Sequence, residues 1–151
     1  MKKASIFGTS DKRTVNPDWF TNKTWMKVVS KTIKSEDQDI YHVHFENGSR
    51  TKLHVHNGNQ VLIATKGRGS LEIFTKTGTS KSNFQIKRKE RIILKEGVIV
   101  HIPANMLHTH GSIDKKKKFS HIAINILAKK NAEYKTVCYE SDFKTRVTKI
   151  I

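Results

Sequence analysis

Turn-forming residues punctuate this chain so closely that no long regular element fits between them. Asn47-Gly48, Asn57-Gly58, Gly67-Arg68-Gly69, Thr77-Gly78, Glu96-Gly97 and the lysine-flanked Asp114 separate short runs rich in β-branched and aromatic residues. Gly, Asn and Asp at such points supply backbone conformations that other residues reach only with strain. The runs between them predict strands over 25–33, 40–46, 51–55, 60–66, 70–76, 84–94 (open to a break), 98–102, 107–111 and 119–127. No stretch carries a sustained 3.6-residue apolar period. The best helix candidate is a short C-terminal one, a turn or two running from Ser141 as its cap through Arg146. Many short strands with close turns imply an all-β sandwich or small barrel.

At 151 residues the chain suits one domain, 1–151, with enough length to bury a real core. Within it, 1–33 reads as a polar N-terminal segment, 34–128 as the barrel and 129–151 as a C-terminal segment. No apolar run approaches the length that crosses a bilayer, and no signal-peptide pattern opens the chain, so no membrane is expected. Cys138 is the only cysteine, which excludes an internal disulfide and points to a reducing, cytoplasmic setting. A buried apolar role suits it better than a reactive one.

The formal charge is +16, from 29 Lys and Arg against 13 Asp and Glu. Such a balance raises nucleic acid as a partner. Yet the lysines are scattered, the densest run (Lys115–Lys118) falls in a turn, and no aromatic or helix-turn-helix pattern accompanies them. A solvated basic surface that attracts anions is the stronger reading, and nucleic acid the weaker.

Two histidine-bearing segments carry the chemistry. Residues two apart on a strand share a face. His54 and His56 therefore project together, with Leu53 and Val55 turned away. A hairpin at Asn57-Gly58 is expected to bring Gln60 across from them, and His108 is a natural fourth group. Imidazoles with an amide oxygen suit one divalent transition metal: Mn, Fe, Co, Ni, Cu or Zn. Because Gln60 is neutral, such a site keeps about two positive charges by simple counting, favouring anionic molecules. His110 shares a face with His108, and His121 with Ala123 and Asn125. Both are candidate catalytic acid–base residues. His42, His44 and His101 weigh more towards structural roles, and Trp19, Phe20 and Trp25 towards packing anchors.

These residues also carry a resemblance. Gly48, His54, His56 and Gly67 stand in register with the first cupin motif, Gly-x5-His-x-His-x3-Glu-x6-Gly, with Gln60 where Glu is usual. Gly97, Pro103 and His108 match the second, Gly-x5-Pro-x-Gly-x2-His-x3-Asn, with Asn105 for its Gly and Ser112 for its Asn. The run His54–Gly69, Trp19-Phe20-Thr21 with Trp25, His108-Thr109-His110-Gly111 and His121–Ile124 further resemble small single-domain cupins labelled carboxymuconolactone-decarboxylase-associated or quercetinase-like. The resemblance implies a double-stranded β-helix of jelly-roll type and a homodimer, with 1–33 the candidate for exchange between protomers. It also implies a metal-dependent enzyme acting on a small, anionic organic substrate by decarboxylation, isomerisation or oxygenation. A non-catalytic metal- or metabolite-binding cupin is the alternative.

Overall fold

The computed structural model describes residues 1–8, 12, 13 and 15–151. The remaining four positions of the N-terminal segment lie outside the described residues. The first six strands are β1 (Lys12–Arg13), β2 (Thr24–Val28), β3 (Gln38–Phe45), β4 (Leu53–His56), β5 (Gln60–Lys66) and β6 (Arg68–Thr77). Then follow β7 (Phe84–Lys95), β8 (Ile99–Ile102), β9 (Leu107–Ser112), β10 (Phe119–Ile126), β11 (Thr136–Ser141) and β12 (Arg146–Ile150).

They form two antiparallel sheets. One has the order β1-β2-β3-β10-β5-β8, and the other, β11-β12-β7-β6-β9-β4, closes on itself because β4 also pairs with β11. From β3 to β6, and again from β7 to β11, successive strands alternate between the sheets. That winding makes the jelly-roll, a double-stranded β-helix. Hairpins remain where consecutive strands pair, as in β2–β3, β6–β7 and β11–β12.

The alternation overturns one expectation. Asn57-Gly58 is not a hairpin turn, since β4 pairs with β9 and β11 while β5 pairs with β8 and β10. The segment is a corner that carries the chain from one sheet to the other. Its side chains pin other loops there: Asn57 Oδ1 accepts from the Lys135 amide at 2.8 Å, and Asn59 Oδ1 from the Ala104 amide at 2.9 Å. Gln60 thus faces the histidines from the opposite sheet.

The C-terminal helix expected from Ser141 through Arg146 is also absent. Ser141 ends β11 and Arg146 begins β12. The Asp142 carboxylate accepts from the backbone amides of Lys144, Thr145 and Arg146 at 2.7–2.9 Å, while Phe143 turns the chain at φ 57°. An Asp side chain that satisfies its own loop competes with the helix, and the β-branched run after it finds pairing partners in β11 and β7. Strand 25–33 is shorter than expected: β2 stops at Val28, and Ser30–Ile33 is a single helical turn.

Two apolar clusters fill the interior. Phe45, Leu62, Leu94, Ile102 and Phe119 anchor one, and Leu53, Phe74, Leu107 and Val147 the other. Each large side chain buried this way contributes roughly 1.5–3 kcal/mol. Gly67 marks the tightest corner, with φ 75° and room for no side chain: a Cβ there would lie 2.3 Å from the Lys118 carbonyl oxygen. Gly67→Ala should therefore destabilise the fold by roughly 2 kcal/mol or more, read from urea denaturation. A change below about 0.5 kcal/mol would refute the packing argument.

Among the described residues no helix is long and apolar enough to cross a membrane.

Candidate metal centre

The site forms where the two sheets face each other. On β4, Leu53 and Val55 turn into the second apolar cluster, so His54 and His56 must face the other way. Pairing places His54 opposite both His108 on β9 and Cys138 on β11, with His56 opposite Thr136. The facing sheet supplies Gln60 on β5 and His121 and Asn125 on β10, whose register sets Asp39, Asn125 and Gln60 side by side across three strands.

Hydrogen bonds fix how the rings present themselves. His54 Nδ1 lies 2.8 Å from the Lys52 carbonyl oxygen, and His108 Nδ1 lies 2.7 Å from that of Met106. A carbonyl can only accept, so each Nδ1 carries the hydrogen and each neutral ring keeps its lone pair on Nε2. His56 Nδ1 lies 2.8 Å from the Thr136 hydroxyl, a group that can donate as well as accept. The Gln60 amide nitrogen donates to Asn125 Oδ1 at 2.8 Å, which leaves its carbonyl oxygen as the outward group. His56 Nε2, Gln60 Oε1 and His108 Nε2 are buried with no hydrogen-bond partner. Leaving a polar atom so costs about 1–3 kcal/mol, unless something binds it. Buried donors anchored from behind with unpartnered lone pairs are the kind of group a metal ion binds.

Three buried histidines are positioned to hold such an ion. One ring nitrogen from each of His54, His108 and His110 lies within 4.8 Å of the others. His56 is not in this trio, although its ring centre lies 4.8 Å from that of His54 and 5.4 Å from that of His108, nearer than the 5.4 and 5.7 Å of His110. His54, His56 and His108 thus lie close together and Gln60 lines the same cavity as His54 and His56, while the compact trio contains His110. His110 Nδ1 is in turn 3.0 Å from His121 Nε2, so one ring of this pair donates to the other.

Burial keeps these rings neutral. It pushes His54 down to about 4 and, joined by His42, lowers His121 to about 3. Burial and then His54 take His56 to about 2, against an opposing pull from Gln60. His108 is held well below 6.5 by burial and then His54, and His110 by burial and then His121. Neutral imidazole is the ligating form.

The histidines open on a cavity of about 440 Å³, walled by Met26, Tyr41, Val43, Phe45 and Ala123. The sequence did not single out several of its residues. Arg13, Asp39, Tyr41, Tyr134 and Thr136 reach it from distant segments, and only Ala123 and Asn125 shared a face with a chosen histidine. Trp19 and Phe20, read as packing anchors, also line it. Other histidines lie elsewhere. His42 is buried between the Ile6 carbonyl and the Thr65 hydroxyl, His44 stacks on Trp25 at 3.8 Å, and His101 is exposed on edge strand β8. Cys138 is buried, and burial pushes its thiol up to about 12.

Two packed sheets with clustered imidazoles between them make a β-barrel with a candidate metal site, and comparison gives the class its name. The sequence profile of the Cupin family matches residues 7–142, and the chain belongs to that family. A cupin-like protein from Thermotoga maritima is similar over 93% of this chain and 94% of its own, at 28% identity and a TM-score of 0.65. A cupin-2 domain protein from Rhodospirillum rubrum shares the fold at 12% identity and a TM-score of 0.61, covering 89% of this chain and 80% of its own. Bacillus subtilis oxalate decarboxylase, which has Mn(II) centres, matches at 18% identity and a TM-score of 0.58, over 78% of this chain but 28% of its own. At such identities the likeness to the last two is one of fold. A search of curated proteins returned no match.

Proposed function

We propose that this cupin is a metal-dependent enzyme acting on a small anionic organic molecule, by decarboxylation, isomerisation or oxygenation. The observation that carries the reading is the set of buried atoms without partners, His56 Nε2, Gln60 Oε1 and His108 Nε2, behind which hydrogen bonds already hold the groups in place. With His54, these residues would hold one divalent transition ion. Bound there, it would stabilise negative charge on a substrate oxygen as a Lewis acid. The chain's own residues do the rest. Val43, Phe45 and Ala123 exclude water from the wall. His110 and His121 form the proton-handling pair, because their 3.0 Å contact lets one ring hold the other in a defined tautomer.

A second assignment places His110 among the ligands instead of His56, and the 4.8 Å trio favours it.

Protein purified without added metal should contain one equivalent of a transition ion by elemental analysis. In a screen of small carboxylates, turnover should vanish on chelation and return with one metal. Binding without turnover would make the protein a non-catalytic binding module, and metal-independent turnover would overturn the reading.

A further inference from the structure

The cavity is chemically uneven from rim to base. Its base is the buried imidazole cluster, and its wall is apolar. At the exposed rim stands Arg13, the only cationic side chain among the described residues that line it. Arg13 Nη1 donates to the Tyr41 hydroxyl at 2.8 Å, and its guanidinium carbon lies 5.3 Å from the centre of the same ring. The hydrogen bond and cation–π contact hold the head group in place while leaving most of its five donors unused. Among the described residues no ion pair joins Arg13 to a carboxylate. Asp39, the only acidic side chain among the described residues that line the cavity, faces Tyr41 without reaching ion-pair contact with Arg13.

We propose that Arg13, positioned by Tyr41, is a carboxylate anchor, and that the cavity takes a small organic acid with an apolar body. The carboxylate sits on the planar guanidinium fork, whose geometry it matches. The body lies along Met26, Val43, Phe45 and Ala123, and the opposite end points towards the histidines. Only that last element rests on the proposed function; the anchor does not need a metal. Asp39 opposes the carboxylate and sets an upper limit on its affinity.

Calorimetric titration with 3-phenylpropanoate and its neutral amide, 3-phenylpropanamide, tests this on the full chain, both stripped of metal and loaded with Zn(II). The acid should bind at least tenfold more tightly than the amide in both forms. Arg13→Gln should remove that preference by weakening the acid tenfold or more and leaving the amide unchanged. Arg13→Lys should retain part of the preference, and Asp39→Asn should tighten the acid severalfold. An Arg13→Gln variant that binds the acid like wild type, or loses acid and amide together, would overturn the anchor. An Arg13-dependent preference in a protein that takes up no Zn(II) would leave the anchor standing and remove the metal reading.

Discussion

Replacing His108 with alanine should lower affinity for a divalent transition ion by more than about a hundredfold, exceeding the roughly 10–100-fold lost when an outer partner of a ligand is removed. His108 is the deciding position because it belongs to both the compact trio and the set of unpartnered donors. In the wild type, metal at about a thousand times its dissociation constant should add about 4 kcal/mol to stability. That corresponds to about 8–16 °C in melting temperature for a domain of this size, and His108→Ala should abolish the shift. The metal-free variant should still melt cooperatively, although the truncation leaves the Met106 carbonyl without its ring donor. An unchanged metal-induced shift would disprove ligation by His108. Parallel variants His56→Ala and His110→Ala assign the third imidazole, because only a true ligand reproduces the loss.

Acid should unfold the metal-free protein over a narrow range. Below about 6.5 the unfolded chain takes up a proton at each imidazole, whereas the folded chain holds His54 neutral to about 4 and His121 to about 3. The unfolded state then binds more protons, so stability is full above pH 6.5 and falls as pH drops towards the folded values. By pH 4.5 each of these two rings costs on the order of 2–3 kcal/mol. His108 and His110 act in the same direction. A total stability of about 5–15 kcal/mol does not survive many such losses. Urea midpoints measured from pH 8 to 4.5 should fall steeply below 6.5, and a His121→Gln variant should show a shallower slope. A flat profile would contradict neutral burial.

Much of this was readable before any coordinates. Glycine and asparagine turns fixed where strands end, and the two-residue alternation put His54 with His56, and His108 with His110, on shared faces, with Leu53 and Val55 turned into the second apolar cluster. What failed were the places where partners are chosen at long range. Asn57-Gly58 has the composition of a hairpin, but the pairing of β4 with β9 and β11 is set by segments some fifty to eighty residues away. Ser141 reads as a helix cap until the Asp142 carboxylate is seen to satisfy the turn and β12 finds its neighbours. Arg13 and Tyr41 carried no local signature, because their meaning arises only where β3 forms the cavity wall.

The chain's passage from one sheet to the other leaves every candidate ligand strand bounded by neighbours remote in sequence. Such pairings close late and slowly during folding. No excised fragment holding one histidine motif could assemble the binding pocket. On the proposed function, ion capture would report that the last long-range seam has closed, and a newly made chain would not bind its metal before then.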